Sequence, residues 1–201
     1  MKQPETAQAA KSAIREEARR HRDALDLAAR ASASAAIARH AIALVEKVRP
    51  RVMAAYHAIR SEADPRAIID WAHRSGVACA LPAVQDAHTL VFRRYRAGDL
   101  LTGGGFGTSA PTNAAEEVDP DLLLVPMLAF DRTGTRLGSG RGFYDRGVSL
   151  LLHKGIRPFL IGIAFAAQEM GIIPAEPHDV KMDWIVTEKE TLDLRDVAAK
   201  G

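Results

Sequence analysis

The chain has 201 residues, 47% hydrophobic and 26% charged, which suits one globular domain over 1–201 with a sizeable core and excludes a disordered or fibrous class. A formal net charge of +2 exerts little long-range pull on a polyanion, so general nucleic-acid binding is disfavoured and small anionic ligands are allowed. The single cysteine, Cys79, reads in its VACAL setting as a core residue of a reducing compartment, and the absence of a long apolar run or an apolar signal core makes a cytoplasmic protein the expectation.

Residues 5–23, rich in Ala, Glu, Arg and Lys, predict a first helix. A second follows from about Asp26, with Ile37, Ala41, Leu44, Val45 and Val48 on one apolar face and Pro50 as its stop. RVMAAYH (51–57) and VACALPAV (77–84) predict strands on either side of a helix at 65–75. TLVFRRY (89–95) alternates as a strand, and LTGGGFGTSAPT (101–112) predicts a loop. DLLLVPMLAF (121–130) is the most continuous apolar run and predicts a central strand buried on both faces, its ladder ending at Pro126. DRTG (131–134) is a turn, YDRGVSLLLHKG a helix that stops at Gly155, RPFLIGIAF (157–165) a buried strand and WIVT (184–187) a last short one. Strands alternating with helices imply an α/β sandwich: a mostly parallel central sheet, helices on both faces and a helical N-terminus.

Between the 121–130 strand and the next helix lies RLGSGRGFYD, residues 136–145. Gly138, Gly140 and Gly142 alternate with Ser139 and Arg141, so the backbone can approach a ligand closely and aim several N–H groups at one point. The following helix adds its positive N-terminal end, and Arg136 and Arg141 add charge suited to a polyphosphate. A dinucleotide fingerprint would need glycine where Phe143 stands, and a Walker A loop would need Gly-Lys followed by Ser or Thr; neither is present. Asp145, just inside the helix, is by itself a capping charge; beside a polyphosphate such a carboxylate holds magnesium. The histidines and the lone cysteine form no zinc-like spacing.

VPMLAFDRTGTRLGSGRGFYDR (125–146) and GIAFAAQEMGIIPAEPHDVKMDWIVTE (162–188), in that order, resemble the two most specific blocks of the 5-formyltetrahydrofolate cyclo-ligase family, also called 5,10-methenyltetrahydrofolate synthetases. The likeness runs over nearly the whole length. It implies an ATP- and magnesium-dependent enzyme that turns 5-formyltetrahydrofolate into 5,10-methenyltetrahydrofolate with release of ADP and phosphate. Lys11 and Arg15 match the family's Lys-x-x-x-Arg, whose four-residue spacing puts both cations on one helical face; without the resemblance, a solvated face with local ion pairs is the default reading. ATP is then expected at Lys11, Ser12, Ala13, Ile14 and Arg15, and at Arg136, Leu137, Gly138, Ser139, Gly140, Arg141, Gly142, Phe143 and Tyr144. Arg141 is the catalytic cation and Asp145 and Asp179 are the magnesium-associated carboxylates, while Asp183 reads as structural.

Glu62 occupies the place of the family's folate-binding glutamate, with His57 five residues earlier as a further substrate contact and Tyr144 against the folate. A carboxylate can accept paired hydrogen bonds from the amino and ring N–H groups of a pterin. The resemblance implies that ATP phosphorylates the formyl oxygen to an iminophosphate, that the neighbouring folate nitrogen attacks, and that phosphate leaves. Two departures stand out: Ala110 lies where the family often carries Glu or Gln, and Arg141 where many relatives have Lys or Gly. Ala110 motivates the alternative, a non-catalytic folate- or nucleotide-binding relative. A nucleic-acid module rests only on the arginine-rich first helix. The expected partners are ATP and 5-formyltetrahydrofolate, with no nucleic acid and no membrane, and a monomer is expected.

Overall fold

The computed structural model of the chain describes residues 4–86, 89–104, 107–176 and 179–195. Helix α1, Pro4–Ala24, begins with proline in its first turn, where the missing N–H costs nothing. Asp26 then caps α2, Leu27–Val48, by accepting the Ala29 N–H at 2.7 Å. The α2 helix ends as Arg49 turns left-handed and donates its N–H to the Val45 carbonyl, with Pro50 next. Its buried stripe of Ile37, Ala38, Ala41 and Val45 contains the centre of the expected apolar face, and Leu44 and Val48 pack partly buried beside it.

The sheet is built from β1 (Val52–Ala54), β2 (Ala78–Val84), β3 (Leu90–Tyr95), β6 (Leu122–Pro126), β9 (Phe159–Ile163), β10 (Trp184–Val186) and β11 (Thr191–Asp193). Their order is β11-β10-β9-β6-β1-β2-β3. The five inner strands are parallel, and β3 and β11 close the edges antiparallel to their neighbours. Helix α2 and α3 (Arg66–Arg74) cover one face through a core that includes Met53, Leu122, Leu124 and Ile161. Helix α4 (Phe143–His153) covers the other through Val148 and Leu151 against Leu123, Val125 and Leu160. Alternating side chains of one strand, Leu122 and Leu124 against Leu123 and Val125, thus serve opposite faces, as a doubly covered strand requires.

Three expectations need correction. The expected strand at 51–57 stops at Ala54, because the chain leaves the sheet at Tyr56 to make a loop closed by the Tyr56 hydroxyl on the Ala63 carbonyl at 2.6 Å. The expected loop at 101–112 contains a hairpin of β4 (Leu101–Gly103) and β5 (Ser109–Pro111), with Ala110 buried against Ala83 and Val91; residues 105 and 106 lie outside the described residues. The run 121–130 is two strands rather than one. It ends its sheet ladder at Pro126, as expected, and then folds back as β7 (Ala129–Phe130) against β8 (Arg136–Leu137). The 131–134 turn joins them, stapled by buried Asp131, which accepts the N–H groups of Thr133, Thr135 and Ile173. A short 3-10 helix at Ala166–Gln168 and strand β11 carry too few residues to leave a periodic signal.

Candidate active site

Strand order sets the place of the site. From β1 the chain crosses through α3 to β2 on one side, whereas β6 leads through α4 to β9 on the other. The neighbouring strands β1 and β6 therefore form a topological switch point, and the crevice outside their carboxyl ends is where such sheets bind ligands. The segment after β1 carries His57 and Glu62; the segment after β6 carries the β7–β8 hairpin, the glycine-rich loop and the start of α4.

On the β1 side, Glu62 and Ile59 bind reciprocally: Glu62 Oε2 accepts the Ile59 N–H at 3.0 Å, and the Ile59 carbonyl accepts the Glu62 N–H at 3.2 Å. This turn holds the carboxylate in place. Burial raises the Glu62 pKa above the usual value, opposed by the Ile59 N–H and the charges of Arg22 and Arg60. His57 lies half-buried on the same loop.

On the β6 side, Gly140 (φ 96°) and Gly142 (φ 64°) adopt left-handed backbone that a side chain would strain. The loop between them exposes Ser139, Gly140 and Arg141 to solvent. Arg136 is buried in β8 and its Nη2 donates to Asp145 Oδ1 at 2.8 Å, while its Nε has no hydrogen-bond partner among the described residues. Asp145 Oδ1 also accepts the Val180 N–H at 3.2 Å, which ties the first turn of α4 to the residue after Asp179. Leu137 packs with Leu128, Ala129 and Ile173. Phe143 sits half-buried with the Arg146 guanidinium 5.1 Å from its ring centroid, and Arg146 donates to the Arg141 carbonyl.

Tyr144 connects the two sides. Its hydroxyl is buried and, among the described residues, without a hydrogen-bond partner. Burial, and then the charge of Glu62, push its pKa upward, while Arg136 pulls the other way. One hydroxyl thus feels both the expected folate carboxylate and a glycine-loop cation.

Helix α1 lies across the crevice. Lys11 is 3% exposed, and its ammonium donates to Glu176 at 2.6 Å and Asp179 at 2.8 Å. Burial disfavours that charge, but the two carboxylates outweigh it and raise the Lys11 pKa. Arg15 donates from Nε to the Gly138 carbonyl at 3.1 Å, and its guanidinium lies 3.6 Å from where a Cβ on Gly140 would sit. Ile14 packs beside Ala18 in the small apolar cluster under the helix, whereas Ser12 and Ala13 face solvent. Lys11 and Arg15 therefore share the inward face, and the residues between them divide.

The carboxylates of Asp145 and Asp179 are hard oxygen donors on segments joined through Val180. Among the described residues no group of three or more His, Cys, Asp or Glu converges as a metal cage. Magnesium held mainly by phosphate oxygens asks for only one or two carboxylates, so these two fit that ion. Asp183 accepts the Leu160 N–H at 2.8 Å and Arg157 at 3.2 Å, a structural staple as expected. Cys79 is buried and its thiol is pushed up to about 12 by burial, consistent with a core residue. Arg22, Tyr56 and Arg146 were not singled out from the sequence; only Arg22 left a signal there, falling eleven residues after Lys11 on the same helical face.

The model of the 5-formyltetrahydrofolate cyclo-ligase family matches residues 7–188. A 5-formyltetrahydrofolate cyclo-ligase of Haemophilus influenzae is 30% identical to this chain over 84% of it and 92% of that enzyme. One of Saccharomyces cerevisiae is 32% identical over 89% and 95%. The solved structure of Aquifex aeolicus 5,10-methenyltetrahydrofolate synthetase matches with a TM-score of 0.79 and 30% identity, covering 92% of this chain and 93% of that one. With both its length and its fold accounted for in this way, the chain belongs to the 5-formyltetrahydrofolate cyclo-ligase family.

Proposed function

We propose that the chain closes 5-formyltetrahydrofolate to 5,10-methenyltetrahydrofolate at the expense of ATP, releasing ADP and phosphate. The observation that carries this reading is the crevice at the switch point, with Glu62 on the segment after β1, the glycine-rich loop after β6, and Tyr144 within the field of both Glu62 and Arg136.

The formyl oxygen is amide-like and a poor leaving group. It attacks the terminal phosphorus of ATP, breaking the bond to ADP; the neighbouring folate nitrogen then adds to the formyl carbon and gives up its proton, and phosphate departs with that oxygen, taking up the proton directly or through solvent. The enzyme's part is positioning and charge compensation, as phosphoryl transfer generally demands. Glu62 accepts the pterin N–H groups, with His57 and Tyr144 lining the folate. The loop N–H groups from Gly138 to Gly142, together with Lys11, Arg15 and Arg136, hold the phosphates. Arg141, exposed at the loop tip, closes on the transferred phosphoryl group. Magnesium, held by Asp145 and Asp179, supplies charge neutralisation on the phosphate oxygens. Polyphosphate offers Lys11 and Arg136 new partners and so frees the two carboxylates they now neutralise.

The test is the absorbance of the methenyl product with and without ATP and magnesium. Product formation that requires ATP and 5-formyltetrahydrofolate together is the expected result. No chromophore from folded protein at millimolar ATP overturns it, and binding of both ligands by calorimetry without ADP release assigns the non-catalytic alternative instead.

A further inference from the structure

Helix α1 sets Lys11, Arg15, Ala18 and Arg22 on one face, spaced four, three and four residues apart. The first two meet the phosphate side of the crevice, and Ala18 is fully buried beneath the helix. Arg22 is 6% exposed and its Nε has no hydrogen-bond partner among the described residues. The nearest carboxylate of its own helix, Asp23, stands 3.8 Å from Nε, beyond hydrogen bonding. Asp23 is engaged elsewhere, accepting the hydroxyl of buried Ser61 and so docking the end of α1 on the loop that carries Glu62. A buried guanidinium with an unpaired N–H is costly to the fold and calls for a reason.

We propose that Arg22 is a positioning residue of the folate site: from α1 it keeps the Glu62 carboxylate charged and aimed at the pterin. One helix then serves both substrates, with phosphate contacts at Lys11 and Arg15 and the pterin acceptor set by Arg22. The rise from Arg15 to Arg22 is about 10 Å along the axis, the scale of a fused two-ring heterocycle with its substituent. The inference rests on Glu62 being the pterin acceptor.

The groups facing Glu62 are Arg22 from α1, Arg60 and the Ile59 N–H from its own loop, Tyr56 from the end of β1 and Tyr144 from α4. Of the two cations, Arg60 is exposed and screened by solvent and salt, whereas Arg22 is enclosed. Arg22 is therefore the one able to counter the desolvation that favours a neutral Glu62. A protonated Glu62 would present a donor where the pterin also offers donors.

Carboxyl-detected NMR titration of the ligand-free full chain, with the Glu62 signal identified by its loss in Glu62→Gln, tests this directly. Arg22→Gln should raise the Glu62 midpoint by about one pH unit, and Arg22→Lys should restore most of it. Kinetically, Arg22→Gln should raise the KM for 5-formyltetrahydrofolate by up to about tenfold at pH below the Glu62 midpoint, leave the KM for ATP unchanged, and recover as pH rises and Glu62 ionises. An unchanged Glu62 midpoint in folded Arg22→Gln overturns the proposal, as does a midpoint displaced as far in Arg22→Lys as in Arg22→Gln, or an equal loss for both substrates. A shifted midpoint in a protein that binds no 5-formyltetrahydrofolate overturns the functional reading and leaves the Arg22–Glu62 coupling standing.

Discussion

Tyr144→Phe separates a functional hydroxyl from a structural one. A buried tyrosine hydroxyl that donates within the fold contributes about 1 kcal/mol when kept, so its removal normally destabilises. In this chain the Tyr144 hydroxyl has no partner among the described residues of the ligand-free fold, so deleting it relieves a desolvation penalty of roughly 1–3 kcal/mol. The expected outcome is a urea midpoint that is unchanged or higher, at unchanged slope. In the proposed complex the same hydroxyl, within the field of Glu62 and Arg136, is expected to find its partner on the ligand. Loss of one charge-assisted hydrogen bond, about 1.5 kcal/mol, lowers kcat/KM roughly tenfold, read as the initial rate of methenyl product formation. A variant destabilised by more than about 1 kcal/mol with unchanged kcat/KM would refute the convergence of the two loops at this residue.

Three further outcomes are expected. Glu62 has a folded-state pKa raised above 4.5, so the folded protein binds that proton more tightly than the unfolded chain and stability is lost as pH rises through the folded value. Glu62→Gln should therefore match the parent in acid below that range, be the more stable protein at neutral pH by denaturant titration, and lose folate turnover. Asp131→Ala strips acceptors from the buried N–H groups of Thr135 and Ile173 and should cost roughly 3–5 kcal/mol by urea unfolding. Arg141→Ala, at an exposed loop tip, should alter stability by no more than about 0.5 kcal/mol while cutting turnover tenfold or more; equal activity removes Arg141 from the site.

The layers of the fold were legible because they rest on long periodic segments. The apolar faces of α2 and the continuous runs of β6 and β9 each carry enough residues for burial to impose a pattern. The hairpins β4–β5 and β7–β8 have strands of three and two residues, too short for any pattern, and the glycines of 101–107 and the proline at 126 point to irregular chain. The candidate site was legible one residue at a time. Gly140 and Gly142 announce a backbone conformation, and the spacing of Lys11 and Arg15 announces a common face. The pairing of Lys11 with Asp179 joins residues 168 apart, and the meeting of Tyr144 with Glu62 depends on strand order; no local signal encodes either.

The seating of α1 has a consequence for how the molecule opens. This helix supplies groups to both ends of the crevice, yet among the described residues the buried cluster on its underside is small: Ala18, Leu128, Ala129, Leu137 and Ile173. The sheet is enclosed by two far larger cores. The least costly excursion from the native state is thus a lifting of α1, which dismantles the crevice and leaves the sheet intact. Amides of α1 should exchange with solvent well before those of β6 and β9. A ligand that bridges the helix to the two loops slows that exchange by its own occupancy, which makes the first helix a reporter of binding that needs no turnover.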